Sequence, residues 1–233
     1  EFDVIFVDDH SHDNSIGIFN KFPWRKGISA QSHVNSKNLG VSISRALGFE
    51  IVSTPYVTNL DSDDFYYSPE KLRRELAIAV NHSGSVAFSR TIDVDESGQI
   101  IMRHTPPLIR EGRLDLAILR REIMIPRDFV MPMKIYNDAG GYDTSINLYE
   151  DWDLKLRIAR LADFRYTQIA GTAYRRHALG LSSAPKSAHK AALSTIIVKN
   201  LDSYKTILSM DELCQITTRL GLTSGNQESE GHA

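Results

Sequence analysis

The stretch VTNLDSDDF at Val57–Phe65 places three carboxylates, Asp61, Asp63 and Asp64, directly after an apolar run that is typical of a buried strand. A helix start follows at Pro69, so we expect these carboxylates to lie on a loop between strand and helix. Carboxylates held this close repel one another and raise each other's pKa unless a cation neutralises them. Magnesium and manganese prefer such oxygen ligands. The spacing therefore fits either a divalent metal site or a solvated acidic turn.

A second apolar run, Phe2 to Val7, also ends in carboxylates. It is short, β-branched and aromatic, which predicts a buried parallel strand. Asp8 and Asp9 follow it, and open α/β sheets bind ligands at the carboxyl ends of their strands. The pair therefore contributes to a ligand site or, alternatively, caps a helix. Strand-like and helix-like segments alternate from here, which predicts a parallel sheet with right-handed crossovers.

Two helices are predicted on either side of the acidic stretch. Residues 35–48 are typical of a loop that enters a helix, on which Arg45 is either a surface charge or a phosphate ligand. Residues 51–60 then return to the sheet and lead into the acidic loop. The second helix, at 69–81, has an apolar stripe that we expect to face the core. That stripe consists of Leu72, Leu76 and Val80.

The middle of the chain contains a predicted antiparallel pair. Residues 86–93 and 100–103 are strand candidates joined by a hairpin-like turn. Prolines and alternating charges leave residues 106–132 without a clear pattern. Within them, Leu114 to Ile123 fits a strand or a short helix beside a substrate groove.

A glycine pair, Gly140-Gly141, precedes a predicted helix that begins with Glu150 and Asp151. Glycines permit a close approach of the backbone. Trp152 starts the inner face of this helix. A carboxylate at a helix start commonly stabilises the helix dipole. Beside a buried tryptophan, it is also placed to act as a rigidly held general base.

The last predicted strand, Tyr166 to Tyr174, ends in Arg175, Arg176 and His177. This combination suits a metal-bound diphosphate covered by a closing segment. The expected organisation is an α/β domain at 1–185, a helical extension at 186–222 and a disordered polar tail at 223–233.

The predicted helical extension carries an apolar stripe and a pattern at Ser209 and Glu212 that is typical of a capping box. We expect the extension to pack on the domain; peripheral association with a membrane surface is the alternative. The stripe consists of Leu193, Ile197, Leu201, Tyr204 and Leu208.

The composition argues against several classes of protein. A formal net charge of −2 over 233 residues argues against nucleic acid as a partner. The single cysteine, Cys214, excludes an internal disulfide framework and fits a reducing compartment, so we expect a cytoplasmic location. We expect neither a transmembrane segment nor a signal peptide, because no apolar run has the required length.

Several stretches, taken in order, resemble the successive signature blocks of family 2 glycosyltransferases with the GT-A fold. The resemblance extends over roughly residues 1–183, and ordered blocks are more specific than any one of them alone. The family's first strand and the helix after it have no counterpart, so we expect the chain to begin at the family's second strand. Ala46 stands where the family often has Asn. The stretches are FDVIFVDDHSHDNS, NLGVSISRALGF, NLDSDDFYYSPEKL, AGGYDTSINLYEDWDLKLRIA and YRRHALGLS.

The resemblance implies an α/β fold of the GT-A nucleotide-diphospho-sugar transferase type, with a mostly parallel central sheet flanked by helices. It also implies a donor site. Asp9 matches the residue that contacts the nucleotide base, and Arg45 matches an arginine near the nucleotide. Asp61 and Asp63 match the DxD pair that holds the ribose and a divalent metal, and Asp64 is placed to share that task.

The same resemblance assigns the catalytic side of the site. Asp151 matches the catalytic base, and His177 matches a late metal ligand that joins the DxD pair. We expect Glu150 and Arg176 to contact the substrate, the arginine by charge-assisted hydrogen bonds to the leaving diphosphate. The expected cofactor is Mn²⁺ or Mg²⁺.

The function implied is inverting, metal-dependent transfer of a sugar from a UDP- or GDP-sugar to a hydroxyl group of a glycan or another acceptor. One alternative is a nucleotide-sugar binding module or an inactive fragment of such an enzyme. A second alternative is a metal-dependent phosphoryl-transfer enzyme. The sequence lacks a glycine-rich phosphate loop ending in Gly-Lys-Ser/Thr, which counts against this alternative.

Overall fold

The computed structural model describes residues 1–102, 109–177 and 184–219. Internal contacts divide the chain into two compact units, Glu1–Gly180 and Leu181–Ala233. The predicted disordered tail at 223–233 and the end of the predicted helical extension lie outside the described residues.

The first unit alternates strands and helices, as the sequence predicts. The strands are β1 (Phe2–Asp8), β2 (Ile28–Val34), β3 (Tyr56–Val57), β4 (Phe65–Tyr66), β5 (Ser85–Val94), β6 (Ile100–Met102), β7 (Met131–Pro132) and β8 (Asp163–Arg175). The helices are α1 (Ser15–Lys21), α2 (Val41–Ile51), α3 (Lys71–Asn81), α4 (Asp115–Leu119), α5 (Met133–Asp138) and α6 (Glu150–Ala159).

Two parallel pairings are the longest in the first unit. β1 runs parallel to β2, with Phe2 opposite Ile28, and β5 runs parallel to β8, with Ser85 opposite Asp163. β5 is buried along most of its length, as expected for a strand covered on both faces. Short antiparallel pairings join β3 to β7, β4 to β8 and β5 to β6. The predicted parallel strands and the antiparallel return strand after β5 are therefore confirmed. The predicted burial of Phe2 to Val7 is wrong, because every residue of that run is exposed or half-buried.

The strand predicted at 51–60 is wrong in its extent. α2 continues to Ile51, and pairing is confined to β3, which runs antiparallel to β7. Pro55 has no amide hydrogen to donate to a strand ladder, so regular pairing begins only after it. The acidic residues 61–64 consequently lie on the loop between β3 and β4, and a short strand separates them from α3.

α3 presents a different face to the core from the one predicted. Leu76 and Val80 are exposed and Leu72 is half-buried, whereas Lys71 and Glu75 are buried. The predicted apolar stripe is therefore wrong for Leu76 and Val80, whereas Leu72 packs against a core cluster that contains Ala79. The physical reason is that α3 packs on β5 and β8 through a polar face that finds hydrogen-bonding partners there.

A buried polar cluster provides hydrogen-bonding partners for the polar side chains on this face of α3. Nζ of Lys71 lies 2.7 Å from Oε2 of Glu75 and 3.2 Å from Oδ2 of Asp128. The hydroxyl of Ser89 donates to Glu75 at 2.6 Å, and the hydroxyl of Thr172 donates to Asp128. Burial raises the pKa of Glu75 to about 7, although the ammonium of Lys71 acts in the opposite direction. A single ammonium group shared by two carboxylates does not offset the cost of burying both.

The raised pKa of Glu75 predicts a dependence of stability on pH. A carboxyl group with a higher pKa in the native than in the unfolded protein stabilises the fold fully below its unfolded pKa. That contribution is lost as the pH rises through about 7. The free energy of unfolding should therefore fall by about 1 kcal/mol between about pH 6 and 8. Glu75→Gln should remove this change of unfolding free energy with pH.

Urea unfolding at a series of pH values measures the slope of the unfolding free energy against pH. Glu70→Gln is the matched control, because Glu70 lies at the start of the same helix and pairs with Arg73 at the surface. The control should keep the slope of the unsubstituted protein. Equal slopes in all three proteins would contradict the assignment to Glu75.

Aromatic packing joins α2 to the segment that precedes α6. The ring centroid of Phe49 lies 4.4 Å from that of Tyr136 and 5.4 Å from that of Tyr142. Gly141 has a φ of 67°, and a Cβ there would lie 3.0 Å from the Tyr136 hydroxyl. The glycine pair thus permits the close approach that the sequence predicts. α6 begins at the predicted residue, and its Trp152 is buried.

The second unit contains α7 (Lys186–Leu201) and α8 (Met210–Arg219). The predicted capping box is confirmed, since the amide of Ser209 donates to Oε2 of Glu212 at 2.9 Å and the amide of Glu212 to Oγ of Ser209 at 3.3 Å. Among the described residues, no helix combines the length and the apolar character needed to cross a bilayer. Leu201 of the predicted stripe is half-buried, and the buried members are Leu193, Ile197, Tyr204 and Leu208.

Candidate active site

Three carboxylates of the loop between β3 and β4 converge. One oxygen atom from each of Asp61, Asp63 and Asp64 lies within 4.8 Å of the other two. Asp63 is exposed and the other two residues are half-buried. Hard oxygen atoms at this mutual distance fit the ligand preferences of magnesium and manganese. The residues present therefore fit the predicted metal by ligand type, while both carboxylate oxygens of Asp61 also pair with arginines.

The antiparallel pairing of β4 with β8 brings the end of β8 to the acidic loop. Nε2 of His177 lies 2.8 Å from Oδ2 of Asp63. The amide of Arg175 donates to Oδ1 of Asp64 at 2.9 Å. The structure thus places His177 beside Asp63, although the two residues are far apart in the sequence. The prediction that His177 shares a metal ion with Asp61 and Asp63 stays a prediction.

The pKa of Asp64 reflects its burial and, after that, the carboxylates beside it. Burial raises the pKa of Asp64 to about 6. The hydrogen bond from the Arg175 amide acts against this effect, and the charges of Asp63 and Asp61 add to it. A cation bound at the cluster would relieve the repulsion among these carboxylates.

Arg45 joins the acidic loop to the start of α6. Its side chain is only 9% exposed, and its Nη2 lies 2.5 Å from Oδ1 of Asp61 while its Nη1 pairs with Oε1 of Glu150. Arg127 pairs with the other oxygen of Asp61 at 2.5 Å. Burial and then the charge of Asp151 raise the pKa of Glu150, and Arg45 acts against both. Arg45 is therefore a buried bridge between two acidic groups and not a surface charge.

Asp151 lies in the first turn of α6 beside Lys155. Nζ of Lys155 lies 2.6 Å from Oδ2 of Asp151 and donates to the carbonyl of Ile125 at 2.8 Å. Burial acts to raise the pKa of Asp151, but the positive charges of Lys155 and Arg127 outweigh it and hold the pKa well below its usual value. Asp151 is consequently an ionised carboxylate in a fixed orientation, able to accept a proton, although its lowered pKa makes it a weaker base than an ordinary aspartate.

Asp9 organises the loop before α2. Its Oδ1 accepts hydrogen bonds from the amide of Leu39 at 2.7 Å and from Nδ2 of Asn35 at 2.8 Å, and its Oδ2 accepts from the amide of Gly40 at 2.8 Å. These bonds outweigh burial, which acts to raise the pKa, and lower the pKa of Asp9. The carboxylate therefore supports the start of the helix that carries Arg45. Its predicted contact with a nucleotide base stays a prediction.

Arg176 pairs with a carboxylate of β5. Its Nη2 lies 3.0 Å from Oδ2 of Asp93, and its guanidinium carbon lies 4.5 Å from the centroid of the Tyr174 ring. Its predicted contact with a diphosphate stays a prediction.

The sequence reasoning missed Arg127 and Lys155 as members of this site. Lys155 follows Asp151 by one helical turn, a spacing typical of an ion pair, so the sequence contained a signal for it. Arg127 lies in the segment without a clear pattern, where no periodicity relates it to Asp61.

Comparison with known proteins places this chain in a family. The profile of the family described as "Glycosyl transferase family 2" matches residues 1–141. The chain belongs to this family. Among curated proteins, an uncharacterized glycosyltransferase of Rickettsia bellii (strain RML369-C) is 20% identical to this family 2 chain over 142 residues, which are 59% of the chain and 20% of the relative.

Solved structures share the fold of this family 2 chain. S. aureus TarS 1-349 superposes with a TM-score of 0.68 at 17% identity, covering 94% of this chain and 61% of TarS 1-349. Its complex with UDP-GlcNAc gives a TM-score of 0.67 at 16% identity, covering 94% of this chain and 62% of that one. The predicted GT-A fold is therefore confirmed. The chain spans about three-fifths of the length of these TarS structures.

Proposed function

We propose that this family 2 chain carries the donor site and the catalytic base of an inverting, metal-dependent glycosyltransferase. The donor is a nucleotide diphosphate sugar and the acceptor is a hydroxyl group. The observation that carries the proposal is Arg45, which pairs with Asp61 of the acidic loop and with Glu150, the neighbour of Asp151. One buried arginine thus connects a cluster suited to a donor diphosphate with a candidate base.

Asp61, Asp63 and His177 would hold the Mn²⁺ or Mg²⁺ ion, with Asp64 beside them. A bound divalent ion supplies Lewis-acid stabilisation of the charge that develops on the leaving diphosphate. Nε of Arg175 donates to the carbonyl of Asp63 at 2.9 Å and so fixes the loop that carries the ligands. Arg176 follows on the same strand end and supplies a guanidinium for charge-assisted hydrogen bonds to the diphosphate.

Asp151 accepts the proton of the acceptor hydroxyl as its oxygen attacks the anomeric carbon of the donor. The new bond joins that oxygen to the anomeric carbon, and the bond from this carbon to the diphosphate oxygen breaks. Attack on the face opposite the leaving group inverts the configuration through an oxocarbenium-like transition state. Lys155 keeps Asp151 ionised and oriented for this step.

A UDP-sugar is the favoured donor, because S. aureus TarS, which shares the fold, is solved with UDP and with UDP-GlcNAc. A thermal-shift screen with manganese tests this choice. Binding to the native state raises stability by mass action, by roughly 2.7 kcal/mol at a hundredfold excess over Kd. UDP-sugars should therefore raise the melting temperature more than GDP-sugars, and both more than ATP. A larger shift with ATP, or no shift with any nucleotide sugar, would contradict the proposal.

A further inference from the structure

Arg121 occupies a strained backbone position at the end of α4. Its amide donates to the carbonyl of Ile118 at 3.0 Å, and the amide of Glu122 donates to the carbonyl of Ala117 at 2.9 Å. These two bonds form a helix-end motif whose left-handed residue is usually glycine, and Arg121 fills that place with a φ of 52°. Glycine adopts this conformation at lower cost, so the backbone alone does not account for an arginine side chain there.

The guanidinium of Arg121 lies over two aromatic rings at the start of α6. Its carbon is 5.4 Å from the centroid of the Tyr149 ring and 5.9 Å from that of the Trp152 ring. Arg121 is exposed, and within the described part of the chain no carboxylate pairs with it. A guanidinium packed on aromatic rings is held in place while it keeps N–H groups available to an oxyanion.

Arg121 begins a segment that passes beside the candidate base. The ring nearest its guanidinium belongs to the residue that precedes α6, two positions before Asp151. Within the segment, the carbonyl of Ile125 accepts a hydrogen bond from Lys155, which pairs with Asp151. At its far end, Arg127 pairs with Asp61 on the proposed donor side. The segment therefore has two different ends. Arg121 lies at one end, next to the start of α6, and the contact with Asp61 lies at the other.

We propose that Arg121 is an acceptor-binding residue that receives an oxyanion, a phosphate or a carboxylate group, carried by the acceptor near its reacting hydroxyl. The proposal rests on the proposed function, because it takes Asp151 as the base that the acceptor must approach. An arginine offers paired N–H donors that match the geometry of both oxyanions. It thereby selects charged acceptors over neutral ones of the same shape.

Binding of small probes tests this assignment in the whole chain. The probes are glycerol 1-phosphate with its neutral counterpart glycerol, and glucuronate with its neutral counterpart glucose. Ligand-observed NMR titrations are made with saturating UDP and magnesium, which is diamagnetic, so that the proposed donor site is closed to phosphate. The charged probe of at least one pair should bind more tightly than its neutral partner. The pair with the larger preference identifies the oxyanion.

Arg121→Gln should weaken binding of the preferred charged probe about tenfold and leave the neutral probes unchanged. Arg120→Gln is the matched control, since Arg120 precedes it in the chain and lies 3.9 Å from a carboxylate oxygen of Glu122. The control should stay within about twofold of the unsubstituted protein. Equal binding of charged and neutral probes, or no effect of Arg121→Gln, would overturn the proposal while UDP still binds. Failure of the unsubstituted protein to bind UDP would instead overturn the proposed function, and this assignment with it.

Discussion

Replacing Asp151 with asparagine is expected to lower sugar transfer by about a hundredfold to ten-thousandfold while donor affinity changes little. Asparagine keeps the shape of the side chain and an oxygen that accepts from Lys155, but it does not take up a proton at neutral pH. The loss should therefore appear in kcat. Turnover, donor affinity and melting temperature of the substituted protein measure it together.

A carboxylate that serves only the helix dipole behaves differently. Its replacement costs roughly 0.3 to 1 kcal/mol of stability and leaves turnover nearly intact. Asp211→Asn is the matched control, because Asp211 is also an acidic residue in the first turn of a helix. Near-normal turnover of Asp151→Asn would make Glu150 and Asp153 the next candidates for the base, although each is buried and pairs with an arginine. A nucleotide-sugar binding module would show donor binding without turnover even before substitution.

Replacing Asp63 with asparagine is expected to weaken manganese-dependent binding of UDP by at least about tenfold to hundredfold. This range is typical for the loss of groups that merely orient metal ligands, and a ligand itself contributes more. Asp63 is exposed and bonds to His177, so its removal disturbs the proposed ligand set with little change to the core. Titration of UDP at fixed manganese concentration measures the change.

Asp138→Asn is the control for this substitution, because Asp138 is also exposed and pairs with a lysine, Lys134, outside the acidic loop. It should bind UDP as the unsubstituted protein does. If Asp63→Asn also kept full affinity, the acidic loop would be the solvated turn that its spacing equally allows.

Local rules predicted much of this fold. The short apolar runs predicted the positions of β1 and β5, but only β5 is buried along most of its length. The Ser209 and Glu212 pair gave the start of α8, because capping depends on neighbours three residues apart. The acidic start of α6 and the glycine pair before it followed from equally local patterns.

Features that depend on distant partners were not predictable in this way. The inner face of α3 includes Lys71 and Glu75 because Ser89 and Asp128, from other parts of the chain, pair with them. Helical periodicity identifies an apolar stripe but does not show which face has buried partners. For the same reason, the contact of Arg127 with the acidic loop became visible only in the structure. The contact between Asp63 and His177 followed from family resemblance alone, since no local rule relates strand ends so far apart.

The central claim is that the acidic loop and His177 bind a nucleotide diphosphate through a divalent ion. Isothermal titration calorimetry of UDP with the unsubstituted protein, in manganese and then in excess EDTA, tests it most directly. We expect tight binding with manganese and at least about a tenfold loss of affinity on chelation. Equal affinity in manganese and in EDTA would contradict the account.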